Sequence, residues 1–300
     1  MPSPTISVII VTHNSADSIE RCLASLTAAM DDLTYEVVVV DNGSADGTAD
    51  LVARLPNPPV LLRSANVGYA AGINAGVALA AGEFFLILNP DTECELRAIP
   101  PLLAALREPC TGVAVPQLLD ADGSWTPSLR REPTIRRALG LTRTRLPVFS
   151  EYVQEREAYV KSTTCDWAVG AALLVSRRCH EAVGGWDESY FLYSEETEFC
   201  RRARDLGLVV RFTPSSRIRH VGGGSGRNAW THSIQVVNRV RYYARRHRLP
   251  LTLAYYALNV GGEAVRGLRG NGESRAATIA LLRPRSRPTE LGLPSAVIPR

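Results

Sequence analysis

The sequence lacks the features that mark several common classes of protein. Its six cysteines are scattered without a Cys-x-x-Cys pair, so neither a zinc site nor a disulfide framework is indicated. No apolar run is long enough to span a bilayer. The amino terminus has no basic leader, and we therefore expect a cytoplasmic protein. The arginines are not accompanied by a nucleic-acid-binding motif, which argues against a nucleic-acid partner.

A glycine-rich phosphate loop is also missing after the first predicted strand. Residues 6–11 form a β-branched run, and residues 12–15 that follow contain no glycine. Nicotinamide-dependent oxidoreductases place Gly-x-Gly-x-x-Gly at this point of the fold. The sequence therefore argues against that class of enzyme.

Apolar residues, in contrast, are abundant and regularly spaced. The 300 residues are 45% hydrophobic and 21% charged, which is enough to bury a sizeable core in one large domain. Two β-branched runs, 6–11 and 35–40, flank a helical pattern over residues 19–30. This predicts a parallel strand-helix-strand unit. The apolar run 84–88 predicts a further strand that is buried on both faces.

Polar segments follow these predicted strands where each one ends. Residues 12–14 follow the first strand, Asp41 to Ser44 follow the second, and Asn89-Pro90-Asp91 follows the run 84–88. In open α/β sheets ligands bind at this edge, where a carboxylate can share a divalent cation with a diphosphate. Asn-Pro-Asp is also good turn chemistry, so a plain turn is the alternative for Asp91.

A second acidic segment, Ser194-Glu195-Glu196-Thr197-Glu198, opens a predicted helix. Glu195 and Glu196 point about 100° apart on a helix, so only one of them can face a substrate. We interpret Glu198 as an ordinary surface carboxylate. The alternative for the whole cluster is the favourable interaction of carboxylates with a helix amino terminus.

Five of these segments together resemble the inverting family 2 glycosyltransferases of GT-A fold, in order and in spacing. They are Val11-Thr12-His13-Asn14, Asp41-Asn42-Gly43-Ser44, residues 66–74, Asn89-Pro90-Asp91 and Glu195-Glu196. The resemblance covers roughly residues 5–250. Within the family the chain looks most like bacterial rhamnosyltransferases, because of residues 186–193 before the acidic pair and residues 220–225 after it.

The resemblance implies an α/β fold of GT-A type. We expect a Rossmann-like, mostly parallel sheet flanked by helices, with a helical carboxyl-terminal region. Residues 1–250 would form the glycosyltransferase domain, with a nucleotide-sugar half over about 1–115 and an acceptor half over about 116–250. Residues 251–300 would form a helical segment and a loosely ordered tail.

The resemblance also implies a donor site. The nucleobase would be held by Thr12, His13, Asn14 and Asp41. The ribose and diphosphate would lie near Arg63, Asn66 and Gly68. The diphosphate would also contact Asn89 and Asp91. Asp91 would bind Mn²⁺ or Mg²⁺, with His220 as a second ligand. Many family members carry Asp-x-Asp where this chain has Asn89-Pro90-Asp91, which leaves one carboxylate. A purely structural histidine is the alternative for His220.

In the family, the second member of the acidic pair is the catalytic base. Carried over, this is Glu196, in place of the usual aspartate, with Glu195 as the second candidate. The implied reaction moves a sugar, in our best interpretation L-rhamnose from dTDP-rhamnose, to a hydroxyl of a saccharide or lipid-linked acceptor in cell-wall or polysaccharide synthesis. A small natural product is the alternative acceptor. The alternative function is a non-catalytic sugar-nucleotide-binding or scaffold protein.

Arginines form two clusters although the formal net charge is only +4. Two interpretations stay open for each cluster: contact with phosphates or with an anionic membrane surface, or a solvated helix face. The first interpretation would bring the protein to the inner face of the membrane. The clusters are Arg130, Arg131, Arg136, Arg137, Arg143 and Arg145, and Arg239, Arg241, Arg245, Arg246, His247 and Arg248.

Overall fold

The computed structural model describes residues 3–222 and 228–287. Its strands are β1 (Ile6–Thr12), β2 (Tyr35–Asn42), β3 (Val60–Ser64), β4 (Phe84–Leu88), β5 (Thr92–Cys94), β6 (Thr111–Leu119), β7 (Leu129–Arg130), β8 (Thr163–Cys165), β9 (Trp167–Ala168), β10 (Ala172–Ser176) and β11 (Val209–His220). Its α-helices are α1 (Ile19–Met30), α2 (Thr48–Ala53), α3 (Tyr69–Leu79), α4 (Ile99–Leu106), α5 (Ile135–Ala138), α6 (Arg177–Val183), α7 (Glu195–Asp205), α8 (Ala229–Ala244), α9 (Leu249–Leu268) and α10 (Gly272–Leu282).

Within the described ranges, nine of the strands form one sheet in the order β3-β2-β1-β4-β10-β6-β11-β5, with β8 beside β11. Strands β3, β2, β1, β4, β6 and β11 run in the same direction, whereas β10, β5 and β8 run against it. The expected mostly parallel α/β sheet is therefore confirmed. Strands β7 and β9 form a separate two-stranded sheet.

The sheet is covered by helices on both faces because its central strands alternate between two cores. In β1, Ile6, Val8 and Ile10 belong to a core that includes residues of α1 and α4. Ile9 and Val11 belong to a second core that includes residues of α3, α6 and α7. Successive side chains of a strand point to opposite faces, so the continuous apolar run of β1 supplies both layers.

The run 167–175 reads as one strand in the sequence, but the structure divides it into β9 and β10. The chain leaves the small sheet at Val169, whose amide donates to Ser128 O, and enters the large sheet near Ala171, whose carbonyl accepts from the Asn89 amide. Gly170 lies at this crossing. The strand character of this run is therefore divided between two strands, which pair with different sheets.

Helices α8, α9 and α10 form the predicted helical region and share a third core. At its edge, His232 Nε2 lies 3.0 Å from a carboxylate oxygen of the buried Glu263. Burial alone raises the pKa of Glu263, but hydrogen bonds from His232, Arg266 and Ser274 lower it to about 2. The tail 288–300, predicted to be loosely ordered, lies outside the described residues.

None of the helices in residues 3–222 and 228–287 combines the length and the apolar character that crossing a bilayer requires.

We expect Glu263→Gln to lower the free energy of unfolding by about 2 kcal/mol at neutral pH, since the buried carboxylate loses its charge-assisted hydrogen bonds. The folded-state pKa is depressed below its ordinary value of 4.5, so this contribution is present above pH 4.5 and disappears as the pH falls toward 2. Urea unfolding of wild type and variant between pH 7 and pH 2 measures the difference. Glu181→Gln, at an exposed helical glutamate, is the control. A loss of equal size at every pH would contradict this account.

Candidate functional site

The first part of the site is built where β1 and β2 end side by side, with Thr12 paired in register with Asp41. Thr12 Oγ1 donates to Asp41 Oδ1 over 2.9 Å, and Ser44 donates from its hydroxyl to Oδ1 and from its amide to Oδ2. Asp41 is only 3% exposed. A carboxylate has about four acceptor positions, so three donors hold Asp41 rigidly and leave room for one more donor.

His13 and Asn14 join the loops that follow these two strands. His13 Nδ1 lies 2.9 Å from Asn42 O, and because a carbonyl oxygen only accepts, Nδ1 carries the proton. Asn14 has a left-handed backbone (φ 53°), donates from its amide to Ser44 Oγ and accepts from the Ala45 amide. The two loops are therefore joined by hydrogen bonds. The four residues predicted to hold the nucleobase, which are Thr12, His13, Asn14 and Asp41, lie in these loops or next to them.

The other predicted donor residues lie next to these loops, on and after β3. The guanidinium of Arg63 forms an ion pair of 2.7 Å with Asp50 on α2, with both side chains more than half exposed. Asn66 Oδ1 accepts a long bond (3.4 Å) from the Gly68 amide. The structure thus places the Arg63 charge at Asp50.

Gly68 allows two parts of the backbone to approach closely. Its φ is +99°, and a Cβ there would lie 2.7 Å from the carbonyl oxygen of Phe191. The next amide, Tyr69 N, donates to the same oxygen over 2.7 Å. Farther along α3, the Asn74 side chain exchanges two hydrogen bonds of 2.9 Å with the backbone of Trp186. Helix α3 is therefore fastened to segment 186–193, which precedes the acidic pair.

The hydroxyl of Tyr69 marks the place where the two halves of the site meet. It donates to Asn89 Oδ1 over 2.7 Å. Burial raises the pKa of Tyr69 well above its usual range, and the negative charges of Glu195, Asp91 and Glu196 raise it further. The Tyr69 hydroxyl contacts Asn89 beside Asp91, and the Tyr69 amide contacts Phe191 shortly before Glu195, so Tyr69 links the two acidic segments. The sequence analysis did not single out Tyr69, although it lies in the segment 66–74.

Asp91 and His220 face each other at the ends of neighbouring strands. Thr92 in β5 pairs with His220 in β11, and Val221 N donates to Asp91 O. This pairing brings His220 Nε2 to 3.2 Å from Asp91 Oδ1. One carboxylate oxygen and one imidazole nitrogen aimed at the same point fit a divalent cation, and imidazole suits manganese better than magnesium.

Two side chains do not complete a metal site by themselves. No group of three or more His, Cys, Asp or Glu side chains that could hold a metal ion occurs within the described parts of the chain. A cation at Asp91 and His220 would therefore need further ligands besides these two side chains. Of the three glycines at positions 222–224 that follow His220, only Gly222 lies within the described residues.

The acidic pair opens α7 after two residues with left-handed backbone, Tyr193 (φ 65°) and Ser194 (φ 74°). Glu195 is 5% exposed, and the Oε2 atoms of Glu195 and Glu196 are buried without a hydrogen-bond partner. Burial, followed by the charge of Glu196, raises the pKa of Glu195 well above its usual range. Burial likewise raises the pKa of Glu196, to about 7. Two such carboxyl groups are suited to holding and moving a proton near neutral pH.

Gly170 and Arg130 surround Glu196. A Cβ at Gly170 would lie 3.4 Å from Glu196 Cβ, so the glycine leaves this side chain just enough space. The buried part of Arg130 lies over the Tyr152 ring, with Cζ 4.2 Å from its centroid, and the positive charge acts to lower the pKa of Glu196. The sequence showed Arg130 only as a member of a basic cluster, because nothing in a two-residue strand signals a buried arginine.

Glu198 was interpreted as a surface carboxylate, and this was wrong. It is 7% exposed and pairs with Arg202 at 2.6 Å and with Arg246 at 3.4 Å. Arg202 lies one turn further along α7, whereas Arg246 follows α8. Glu198 therefore connects the helix of the acidic pair to the next helix.

Much of the second arginine cluster is likewise engaged in contacts within the protein. Arg239 pairs with Glu151 at 3.4 Å, Arg245 with Asp187 at 2.7 Å, and Arg241 donates to Ser189 O. Beside them, Asn238 donates to the carbonyls of residues 192 and 193. Helix α8 thus supports the segment that leads into the acidic pair. In the first cluster, Arg136, Arg143 and Arg145 are exposed.

Comparison with known proteins identifies the same family that the sequence motifs resemble. The family "Glycosyl transferase family 2" matches residues 7–168. The N-acetylglucosaminyl-diphospho-decaprenol L-rhamnosyltransferase of Mycobacterium tuberculosis is 34% identical over 246 residues, covering 76% of this chain and 80% of that protein. The rhamnosyltransferase WbbL of Escherichia coli is 23% identical over 262 residues, covering 81% of this chain and 94% of that protein.

Two solved structures share the fold at low sequence identity. The mannosyltransferase PcManGT from Pyrobaculum calidifontis, in complex with GDP-Man and Mn²⁺, has a TM-score of 0.57 at 19% identity, covering 98% of this chain and 85% of that one. GalNAc-T7 with UDP, GalNAc and Mn²⁺ has a TM-score of 0.56 at 19% identity, covering 82% of this chain and 51% of that one.

The resemblance read from the motifs is confirmed, and the alternative of a non-catalytic binding protein is set aside. The protein has the GT-A fold and is a glycosyltransferase similar to bacterial rhamnosyltransferases. The chain belongs to glycosyl transferase family 2.

Proposed function

We propose that this protein transfers a sugar, with inversion, from a nucleoside diphosphate to an acceptor hydroxyl bound beside Glu196. The observation that carries the proposal is the position of Tyr69, whose hydroxyl binds Asn89 over 2.7 Å while its amide binds the Phe191 carbonyl, in the segment before the acidic pair, over 2.7 Å. Sugar transfer needs one group that binds the leaving diphosphate and another that takes the proton of the acceptor hydroxyl. These two groups must lie on opposite sides of the transferred sugar. With a single base, direct displacement inverts the anomeric carbon.

The donor is L-rhamnose on dTDP in our proposal, and the acceptor is a lipid-linked saccharide of cell-wall or polysaccharide synthesis. The support is the similarity to the mycobacterial protein, whose name gives a decaprenol-linked acceptor and a rhamnosyl group. A small natural product would be the acceptor if the lipid were not needed. Such an acceptor and donor would meet in the cytoplasm, at the inner face of the membrane.

On the donor side, the nucleobase is bound by Thr12, His13, Asn14 and Asp41. The carboxylate of Asp41 has room for one more hydrogen bond, which it accepts from a ring N–H of the nucleobase. Asn66 and Gly68 lie toward the ribose and diphosphate, and Arg63 would reach them only by leaving Asp50. We assign about residues 1–115 to this half and about 116–250 to the acceptor half.

Asn89 orients the hydroxyl of Tyr69 beside the diphosphate, while Asp91 and His220 would hold Mn²⁺ or Mg²⁺. The bound cation would neutralise charge that grows on the diphosphate as the sugar bond breaks. The Mn²⁺ named with the nucleotide or nucleotide sugar in two structures of this fold supports the choice of ion.

On the acceptor side, Glu196 removes the hydroxyl proton and Glu195 stays protonated. Like charges at adjacent buried sites cannot both form at low cost, so the pair titrates as a unit. The pKa of Glu195 is raised by the charge of Glu196 in addition to burial, whereas Arg130 favours the ionised form of Glu196. A protonated Glu195 leaves Glu196 as the ionised member of the pair, which is the form that a general base requires.

Glu196→Gln is expected to lower kcat by about 10²- to 10⁴-fold, because the acceptor hydroxyl loses its general base. Binding of dTDP-rhamnose, measured by calorimetry, should be unchanged, since the amide keeps the shape of the side chain. Transfer of labelled rhamnose to a synthetic polyprenyl-diphosphate acceptor measures turnover. Glu181→Gln, at an exposed glutamate of α6, is the matched control. Wild-type turnover in Glu196→Gln would refute the assignment of the base.

The pH profile of kcat/KM should fall below about pH 7, because protonation of Glu196 removes the base. Arg130→Gln removes a positive charge that stabilises the carboxylate, so we expect the acidic limb to move to higher pH. Arg131→Gln is the matched control, since the adjacent Arg131 pairs with Glu155 instead. Thermal melting checks that both variants fold. An acidic limb at the same pH in all three proteins would contradict a charge effect on Glu196.

Thermal-shift measurements should show greater stabilisation by dTDP-rhamnose than by UDP- or GDP-sugars, and greater stabilisation with Mn²⁺ than with EDTA. His220→Asn should require roughly tenfold or more Mn²⁺ for the same shift, because a metal ligand is lost. His247→Asn, at a histidine outside the site, controls for the substitution itself. An equal shift with EDTA would argue against a cation, and a larger shift with a UDP- or GDP-sugar would reassign the donor.

A further inference from the structure

Helix α9 has an inverted distribution of polar and apolar side chains. Its buried residues are mainly polar, whereas its exposed residues include large aliphatic ones. A helix on the surface of a water-soluble domain normally has the reverse arrangement. The buried residues are Thr252, Tyr255, Asn259, Glu263 and Gly267, and the large exposed ones are Leu249, Leu251, Leu253, Val265 and Leu268.

Specific contacts fix this orientation of the helix. Thr252 Oγ1 donates to His247 O, Tyr255 stacks on Tyr243 with ring centroids 3.9 Å apart, and Glu263 binds His232. Rotating α9 to hide its leucines would break all of these contacts and expose a carboxylate whose pKa is depressed by its partners. The apolar face is therefore directed outward by the packing of the polar face.

The outward face carries no exposed charge over most of its length. Between Arg248 and Arg266 the only charged residue is Glu263, which is buried. Leu251, Leu258, Val265 and Leu268 recur at helical spacing along this face, and Leu268 is 88% exposed. The result is an apolar stripe nearly as long as the helix, which has 20 residues.

Arginines surround this stripe. Residues 248–287 contain seven arginines, of which all but the buried Arg287 are exposed, against two glutamates, of which Glu263 is buried. On α10, Arg275, Ile279 and Leu282 are exposed at helical spacing. Helix α5 packs against α9, and residues 133–150 around it contain four arginines and no acidic residue. Exposed leucines occur there too, at positions 139, 141 and 146.

We propose that α9, together with α10 and residues 135–149, docks in the plane of an anionic lipid bilayer. An apolar stripe bordered by arginines has the two features that bind a helix to the interface, apolar area and attraction to anionic lipids. A second copy of this chain fits less well, since a symmetric contact would bring two arginine-rich faces together. The helix lies on the bilayer, because none of the described helices can cross it.

Docking in this way places the site close to the membrane surface. Helix α9 contacts α8 through Glu263 and His232, and α8 holds residues 192 and 193, which lead to the acidic pair. One helix thus separates the docking face from the segment that positions Glu195. The docking itself does not depend on the proposed reaction, whereas delivery of a lipid-linked acceptor to Glu196 does.

Flotation of the full chain with vesicles tests the proposal. We expect binding to vesicles of phosphatidylcholine mixed with phosphatidylglycerol, and much weaker binding to phosphatidylcholine alone. Leu251→Gln with Leu268→Gln should lower the partition constant by at least tenfold, since two leucines no longer enter the interface. Arg269→Gln with Arg275→Gln should lower it by about fivefold per arginine, on anionic vesicles only.

Leu79→Gln with Leu96→Gln is the matched control, because these leucines are equally exposed but lie outside the face. All variants should keep the wild-type melting temperature. Equal vesicle binding by the leucine variant and its control, or no binding by wild type, would overturn the proposal. So would a dimer in sedimentation that the leucine variant dissociates, which would make a second copy the occupant. Binding that appears only after removal of residues 288–300 would assign the face to the end of this chain.

Discussion

The arrangement of the site depends on the burial of two adjacent carboxyl groups at the start of α7. Removing a carboxylate from water is costly unless protein groups replace its hydration, and here an oxygen of each group has no hydrogen-bond partner. The compensation is local. The free amides at the helix start favour negative charge, and Arg130 lies on the side of Glu196. The fold thus maintains a destabilised pair of acids, and their raised pKa values are the expression of that cost.

Two backbone features keep the pair in place. Left-handed conformations at Tyr193 and Ser194 are unfavourable by about 1–3 kcal/mol each and persist only where the surroundings impose them. Asn238 stabilises this turn by donating hydrogen bonds to the carbonyls of residues 192 and 193. Arg241 binds the same segment at the carbonyl of Ser189. These hydrogen bonds from α8 end on the loop before α7 and not on Glu195 or Glu196. Helix α8 therefore positions the two glutamates through this loop. Helices α7 and α8 support the acidic pair together, because Arg246, which follows α8, pairs with Glu198 in α7.

The sequence predicted those parts of the fold and site that depend on local periodicity and on the common edge of parallel strands. The runs that became β1, β2 and β4 are apolar enough to identify buried strands, and their ends had to lie side by side. The contact of Asp91 with His220 followed from the family resemblance. Glu198, Arg130 and Tyr69 were missed or misjudged because their surroundings come from segments distant in sequence. The break between β9 and β10 was missed for the same reason, since pairing with two sheets leaves no mark on hydrophobicity. The family model matches residues 7–168 and stops before the acidic pair, whose role was carried over from the family resemblance and is supported by its burial and raised pKa values.

The attachment of α3 to segment 186–193 has a consequence for how the structure can move. Gly68 meets Phe191 backbone to backbone, and Asn74 binds Trp186 through two hydrogen bonds, so α3 and segment 186–193 are joined at two points. A hinge there would have to break both the main-chain contact at the amino terminus of α3 and the side-chain hydrogen bonds of Asn74 at its middle. Helix α3 and segment 186–193 therefore move as one body, and any opening motion of the structure has to take place away from this contact.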